Sequence, residues 1–314
     1  MKRTKFSLKS NKEWDFLLVG DMHIRSDIPL CWDERFKEEQ NNALLAIYET
    51  SREHNISILQ SGDLFHKPNP GFQSILLFDS FFPGAIKYFY TIPGNHDLPF
   101  QNIDRAKDSA YGLMAYLPMV YAHLKPTKIK RVHTSICFFP FGSNLSDCTP
   151  DPDVYNIAVA HIYVDTVKPK WGGEDHHTTK EIFNLFKGFD LIVTGDNHIP
   201  VIDEKNGQLL INPGSITRQT ADQIDHRPRI YLFSIERKEY EIVYLPIGEG
   251  ISREHIEGQE KREERISAFV ESLSKTHDIH LSFEKNMERF LAQNKVPKNI
   301  KEKIYAAMEV DQYA

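Results

Sequence analysis

The sequence predicts an α/β fold of two packed sheets with helices outside, and three observations carry that prediction. Over the first two-thirds of the 314 residues, short apolar runs alternate with polar, helix-capable stretches, the pattern of an α/β domain. Strand-like runs fill both halves of that region, more than one simple doubly wound sheet accounts for. At Gly248-Glu249-Gly250 the composition shifts toward Lys, Arg and Glu with apolar residues at helical spacing. The break divides the chain into a large domain, 1–248, and a helical extension, 249–314.

Taken in order, Trp14 to Gly20 reads as a strand and Phe36 to His54 as a helix with Ala43, Leu44, Ile47 and Tyr48 on one face. Ile56 to Gln60 is a second strand, Ile75 to Phe82 a helix, and Ile86 to Ile92 a third strand. A helix near Ala106 to Tyr116 precedes strands at Ile129 to Val132, Ser135 to Phe139, Ile157 to His161, Leu191 to Thr194 and Gln208 to Asn212. Arg229 to Ile235 and Tyr240 to Leu245, split by Glu236-Arg237-Lys238-Glu239, form a hairpin. In the extension, Ile266, Phe269, Val270 and Leu273 make one apolar face, and Phe283, Met287, Phe290 and Leu291 another. Pro297 suits the first turn of a last helix carrying Ile300, Ile304, Tyr305 and Met308. Two readings of these faces stand: a tail packed on its own domain, or a docking surface.

Hydrophobic residues at 40% and charged residues at 26% fit a soluble globular chain. No run of about 18 apolar residues offers a membrane span, and the basic start has no apolar stretch behind it to make a secretory signal. The three cysteines, Cys31, Cys137 and Cys148, match neither a disulfide framework nor a zinc-finger spacing, so a reducing cytoplasm is expected. A formal net charge of -6 does not by itself point to nucleic acid.

Five short segments hold the chemistry, each directly after an apolar strand: Asp21-Met22-His23; Gly62-Asp63 within Ser61-Gly62-Asp63-Leu64-Phe65-His66; Gly94-Asn95-His96-Asp97; His161; and Gly195-Asp196-Asn197-His198. In extended chain, residues two apart point the same way, so Asp21 and His23 can converge on one cation. Open α/β sheets gather their sites at the carboxyl ends of strands, where all five segments can meet. Singly each is weak: a Gly-Asp after a strand is more often a turn, and a lone strand-end histidine is more often a satisfied core residue. Five in series predict a metal site.

The five segments resemble the calcineurin-like metallophosphoesterase superfamily, whose pattern is D-x-H, G-D, G-N-H-D, a lone H and G-H-x-H. Gly62-Asp63-Leu64-Phe65-His66 followed by Lys67-Pro68-Asn69-Pro70, and Asn212-Pro213-Gly214-Ser215, are similar to the SbcD-type subfamily, nuclease subunits that work beside an ABC-type ATPase in DNA break repair. The resemblance implies a four-layer αββα sandwich of two mixed sheets with a short C-terminal helical extension. It implies two divalent metal ions, manganese preferred, with iron, zinc or magnesium as alternatives. Asp21, His23 and His198 would hold one ion; Asn95, His161 and Asp196 the other; Asp63 would bridge them. His96 would be the acid or substrate-orienting group. Asp97 either orients His96 or caps the turn, and His66 either lies by the site or packs in its loop. The implied activity is phosphodiester hydrolysis, with DNA as substrate. Hydrolysis of small phosphate esters or nucleotides, and a non-catalytic scaffold, are the competing readings. The implied partners are DNA, an SbcC-like ABC ATPase met through residues 251–314, and a second copy of the chain.

The chain departs from the pattern at position 196, where Asp stands for the usual His. Either the carboxylate ligates and favours a harder ion such as Mn²⁺, or it is too short to reach. Arg25 and Arg218 lie near site loops in sequence and are candidate phosphate contacts, with surface charge as the plain alternative. His176 and His177 read as exposed loop residues, and Lys125, Lys128, Lys130 and Arg131 as a basic stretch, either a solvated strand edge or a contact to a nucleic-acid backbone.

Overall fold

The computed structural model describes residues 13–83, 89–116, 120–166, 176–252 and 283–310. The chain divides into two compact units, Met1–Arg253 and Glu254–Ala314. Within the first unit, Ile251 bridges Trp32 and the Ser252 amide donates to Cys31 O at 2.8 Å.

The first unit is built on two six-stranded mixed sheets. Its opening strands are β1 (Phe16–Val19), β2 (Ser57–Gln60), β3 (Phe89–Thr91) and β4 (Tyr121–Ala122), interleaved with helices α1 (Phe36–His54), α2 (Phe72–Phe81) and α3 (Ala110–Tyr116). The middle supplies β5 (Thr127–Lys130), β6 (Thr134–Phe139), β7 (Tyr155–Ala160), the short pair β8 (Val164–Asp165) and β9 (His177–Thr178), α4 (Thr179–Leu185) and β10 (Leu191–Thr194). It ends with β11 (Val201–Lys205), β12 (Gln208–Asn212), β13 (Arg229–Ser234) and β14 (Glu239–Tyr244). One sheet runs β14-β13-β1-β2-β3-β4 and the other β11-β12-β10-β7-β6-β5. Within the first, β1, β2 and β3 are parallel, and within the second β6, β7 and β10.

Alternation along the strands builds the layers. Phe16 and Leu18 join Ile136, Phe138, Ile157, Val159, Leu191 and Val193 in the core between the sheets. Leu17 and Val19 point the other way, onto Ala43, Leu44 and Ile47 of α1 and Phe78 of α2. On the far side Cys137, Phe139, Ala158 and Ile192 meet Ile182 and Phe183 of α4. Strands covered on both faces read as continuous apolar runs, which is why they were legible. The result is the expected αββα sandwich.

Several local expectations are corrected. The helix near Ala106 to Tyr116 is a 3₁₀ segment, Ile103–Asp108, followed by α3. Ser109 between them is extended, and its hydroxyl accepts from Gly112 N at 3.1 Å. The chain from Thr178 to Leu185 holds a helix that apolar patterning did not reveal, although Thr178 and Glu181 form a complete capping box. β11 was missed because Asp203-Glu204-Lys205 hides the alternation of an edge strand. Cys137 and Cys148 are joined in a disulfide, correcting the expectation of scattered thiols, while Cys31 is free and buried. His176 and His177 are half-buried, with His176 stacked on Tyr163 at 4.2 Å between ring centroids. Lys128 and Lys130 share Asp151 at 3.0 and 3.1 Å on the edge strand β5.

The second unit is described for α5 (Phe283–Gln293) and α6 (Lys298–Val310). Met287 and Leu291 of α5 are buried, and Pro297 stands directly before α6, its carbonyl accepting from Ile300 N and Lys301 N. Residues 84–88, which include Ile86, and the face Ile266, Phe269, Val270 and Leu273 lie outside the described residues. No helix among the described residues is long and apolar enough to cross a membrane.

Candidate metal centre

The carboxyl ends of β1, β2, β3, β7 and β10 deliver their polar segments to one place, and backbone hydrogen bonds set the register. Met22 N and His23 N both donate to Asp63 O, at 3.0 and 2.9 Å, and Ile24 N donates to Leu64 O at 3.0 Å. The segments at 21–24 and 63–66 therefore run side by side. Across the sheets, His161 Nδ1 donates to Ser61 O at 2.7 Å. Asn212-Pro213-Gly214-Ser215 braces two loops at once. Asp21 N donates to Gly214 O at 3.2 Å, Ser215 N to His198 O at 3.0 Å, and Asn212 Nδ2 to Asn197 O at 2.8 Å.

Tight approach explains two glycines. A Cβ at Gly62, whose φ is 107°, would enter the His161 imidazole, and one at Gly94 would overlap the Asp63 carboxylate. His23, Asp63 and Asp196 hold left-handed φ angles of 43°, 54° and 76°. Non-glycine residues adopt that region at some cost in free energy, which the surrounding hydrogen bonds must hold in place.

Two groups that mix carboxylate and imidazole result, Asp21, His23 and His198, and Asp63, His161 and Asp196, while a third, His23, His66 and His96, is imidazole alone; in each the potential ligand atoms lie within 4.8 Å of one another. His23 Nε2 and His198 Nε2 face each other at 2.9 Å, and His198 Nε2 is 3.7 Å from Asp21 Oδ2. His161 Nε2 faces Asn95 Oδ1 at 3.0 Å, Asp63 Oδ2 at 3.6 Å and Asp196 Oδ1 at 3.9 Å. Asp63 Oδ2 looks toward both groups, being also 3.5 Å from His23 Nε2. That oxygen is buried and has no hydrogen-bond donor.

These residues fit divalent cations. Because His161 Nδ1 donates to Ser61, its Nε2 presents a lone pair to three acceptor oxygens unless a second proton or a cation intervenes. Burial pushes the Asp21 and Asp63 carboxyls up, and neighbouring carboxylates add to the rise. Burial opposes a charge on His161, yet Asp63, Asp21 and Asp196 together carry it up to about 9. Burial lowers His23 and holds His198 down at about 4, so both are neutral imidazoles with a lone pair to give. The carboxylates thus draw positive charge toward His161, and the unpartnered buried carboxylate oxygen of Asp63 is the acceptor that a cation satisfies.

The remaining predicted residues divide. His96 N donates to Asp63 Oδ1 at 2.9 Å, and His96 Nδ1 donates to His66 O at 2.9 Å. His66 stacks on His96 with ring centroids 5.4 Å apart and meets the edge of His23 at 5.6 Å, so it lies by the centre. The hydrogen bonds of Asp97 go to backbone amides, and that of the His96 ring to His66 O. The Asp97 carboxylate accepts from Leu64 N, Phe65 N and Gly94 N at 3.0, 2.8 and 3.0 Å, fastening the third loop to the second. Burial, then Asp63, pushes its carboxyl up to about 7. Arg218 is also corrected: it is 3% exposed and bonded to Glu39 Oε2 and Gly248 O, each at 2.6 Å, beneath the Trp32 ring. A guanidinium so enclosed is an internal tie, not a phosphate contact. Arg25 stands at the rim, bonded to Asp27 and Gln219. Ser61, whose role sequence patterning did not give, acts through its backbone carbonyl, whereas Asn212 acts through its side-chain amide, donating to Asn197 O and accepting from Gly214 N.

Fold and site together define a two-sheet hydrolase scaffold with paired carboxylate–imidazole groups at one strand edge. The model of the calcineurin-like phosphoesterases matches residues 15–200, and the chain belongs to that family. The family carries with it metal-dependent phosphoester hydrolysis as the general activity. The sequence finds no match among curated proteins. Among solved structures, an archaeal phosphodiesterase is similar at 14% identity over 73% of this chain and 99% of that one, with a TM-score of 0.39. A provisional 5′-nucleotidase from Staphylococcus aureus is similar at 13% identity over 76% of this chain and 54% of that one, with a TM-score of 0.43.

Proposed function

We propose that the chain is a manganese-dependent nuclease of the SbcD type, hydrolysing DNA phosphodiesters. The observation that carries hydrolysis is the buried, unpartnered Asp63 Oδ2 between His23 Nε2 and His161 Nε2. The choice of DNA rests on Gly62 to His66 and Asn212 to Ser215, the segments that brace this centre and resemble the nuclease subunits.

Asp21, His23 and His198 would hold one ion and Asn95, His161 and Asp196 the other, with Asp63 shared. When bound, two divalent cations polarise the phosphoryl oxygens and acidify the attacking water. The chain's own residues supply the rest. Ser61 O fixes the His161 tautomer, and Asp97 ties the loop of Asn95 and His96 to that of Asp63. His66 O anchors His96 Nδ1–H, leaving Nε2 to carry a proton to the departing alkoxide.

Digestion of labelled single- and double-stranded DNA, with bis(p-nitrophenyl) phosphate alongside, tests the reading. Mn²⁺-dependent cleavage of DNA and of the small diester is expected. Turnover of the small diester with DNA left intact would replace the nuclease reading by that of a small-ester phosphodiesterase.

Asp196 gives this centre a third carboxylate and favours a harder ion. Asp196→Asn should weaken the second Mn²⁺ by at least about tenfold. Titration calorimetry of both forms decides the point, and equal affinities would remove Asp196 from the ligand set.

A further inference from the structure

The paired segments continue past the residues that face the metal centre. Ile24 bridges Phe65, and His66 N donates to Ile24 O at 3.2 Å. The next residues outward are Arg25 and Lys67, so the ladder that registers Asp21, His23 and Asp63 also brings two cations to one rim. Both converge on Asp27. Arg25 reaches it through Nε at 3.1 Å and Nη2 at 2.6 Å, and Lys67 through Nζ at 3.1 Å.

The three side chains are unequally held. Arg25 is 10% exposed and braced by Gln219, while Asp27 and Lys67 are 47% and 58% exposed. The Arg25 backbone is fixed from both sides by Gln40, at 3.0 and 2.9 Å. A pinned guanidinium and a swinging ammonium thus share one half-exposed carboxylate, leaving one positive charge unbalanced. The Lys67–Asp27 pair, exposed on both sides, adds little to stability, so folding alone gives little reason for Lys67 to join Arg25 there. The rim lies on the His66–His96 side: Lys67 directly follows His66, and the His66 ring stacks on His96.

We propose that Arg25 and Lys67 form a subsite for a second phosphate of the substrate, on the leaving-group side of the metal centre, with Asp27 as the internal occupant that this phosphate displaces. Arg25 offers the planar fork that matches phosphate oxygens and Lys67 a mobile point charge. A polynucleotide carries a phosphate one nucleotide from the scissile one; a simple diester does not. The subsite therefore discriminates by phosphate count, and it rests on the nuclease reading above.

The test uses the full Mn²⁺-loaded chain with a short oligothymidylate and bis(p-nitrophenyl) phosphate. The readout is the ratio of kcat/KM for the oligonucleotide to kcat/KM for the small diester. Lys67→Ala should lower this ratio about tenfold, chiefly through KM, and flatten the salt dependence of oligonucleotide turnover by about 0.7 in log–log slope. Asp27→Asn, which leaves both cations free, should raise the ratio severalfold. Thermal melting of each variant confirms an intact fold, as expected for exposed side chains. If the wild type cleaves the oligonucleotide and both variants keep its ratio and salt slope, the subsite is refuted and the nuclease reading survives. If the wild type cleaves only the small diester, both fall together.

Discussion

Asp63→Asn should lower phosphodiester turnover by on the order of 10³-fold, because the one oxygen that faces both ligand groups is lost. A neutral amide in its place cannot offset the charge of two cations. The same change should leave the metal-free chain folded and no less stable. Without cations the Asp63 carboxylate is held in a buried site that already pushes its pKa up, so removing the charge removes a penalty. The signature is therefore a divergence. At a Mn²⁺ concentration about 100-fold above Kd, each bound ion stabilises the wild type by about 2.7 kcal/mol, seen as a raised Tm. Asp63→Asn should show little of that rise. Melting curves with and without Mn²⁺ check the prediction; an equal rise in the variant would place the metal elsewhere.

His96→Ala should behave in the opposite way: metal retained, chemistry lost. Its contact with Asp63 is made by the backbone amide, which alanine preserves. The imidazole is held by His66 O and is free at Nε2. Removing a proton donor of this kind should lower kcat for DNA by roughly 10²–10⁴-fold. Loss should be far smaller for bis(p-nitrophenyl) phosphate, whose leaving group departs as a stable phenolate and needs no proton. A profile with equal losses on both substrates would make His96 a positioning residue for the phosphate instead of the acid.

The parts of this molecule that the sequence makes legible are those that repeat a physical pattern. Continuous apolar runs such as Ile136 to Phe139 and Leu191 to Val193 are read as strands because both faces are covered. The hairpin of β13 and β14 follows from two runs around a charged turn. The ligand-type residues are read because Asp and His cluster directly after those runs. What escapes is what depends on the third dimension. Arg218 looks like a site arginine in sequence, but its partner Glu39 lies 179 residues away. Asp97 sits beside His96, yet its carboxylate turns back to three backbone amides of neighbouring loops. Cys137 and Cys148 are unremarkable in spacing and are brought together only by the turn after β6. The role of Ser61 is carried by a carbonyl, which every residue has and no sequence pattern can distinguish.

The central claim is that Asp21, His23, Asp63, Asn95, His161, Asp196 and His198 enclose two cations. The most direct measurement is elemental analysis of the Mn²⁺-reconstituted chain together with anomalous scattering from its crystals. The account predicts about two Mn²⁺ per chain, about 3.5–4 Å apart, with Asp63 between them. A single ion, none, or ions bound away from Asp63 would contradict it.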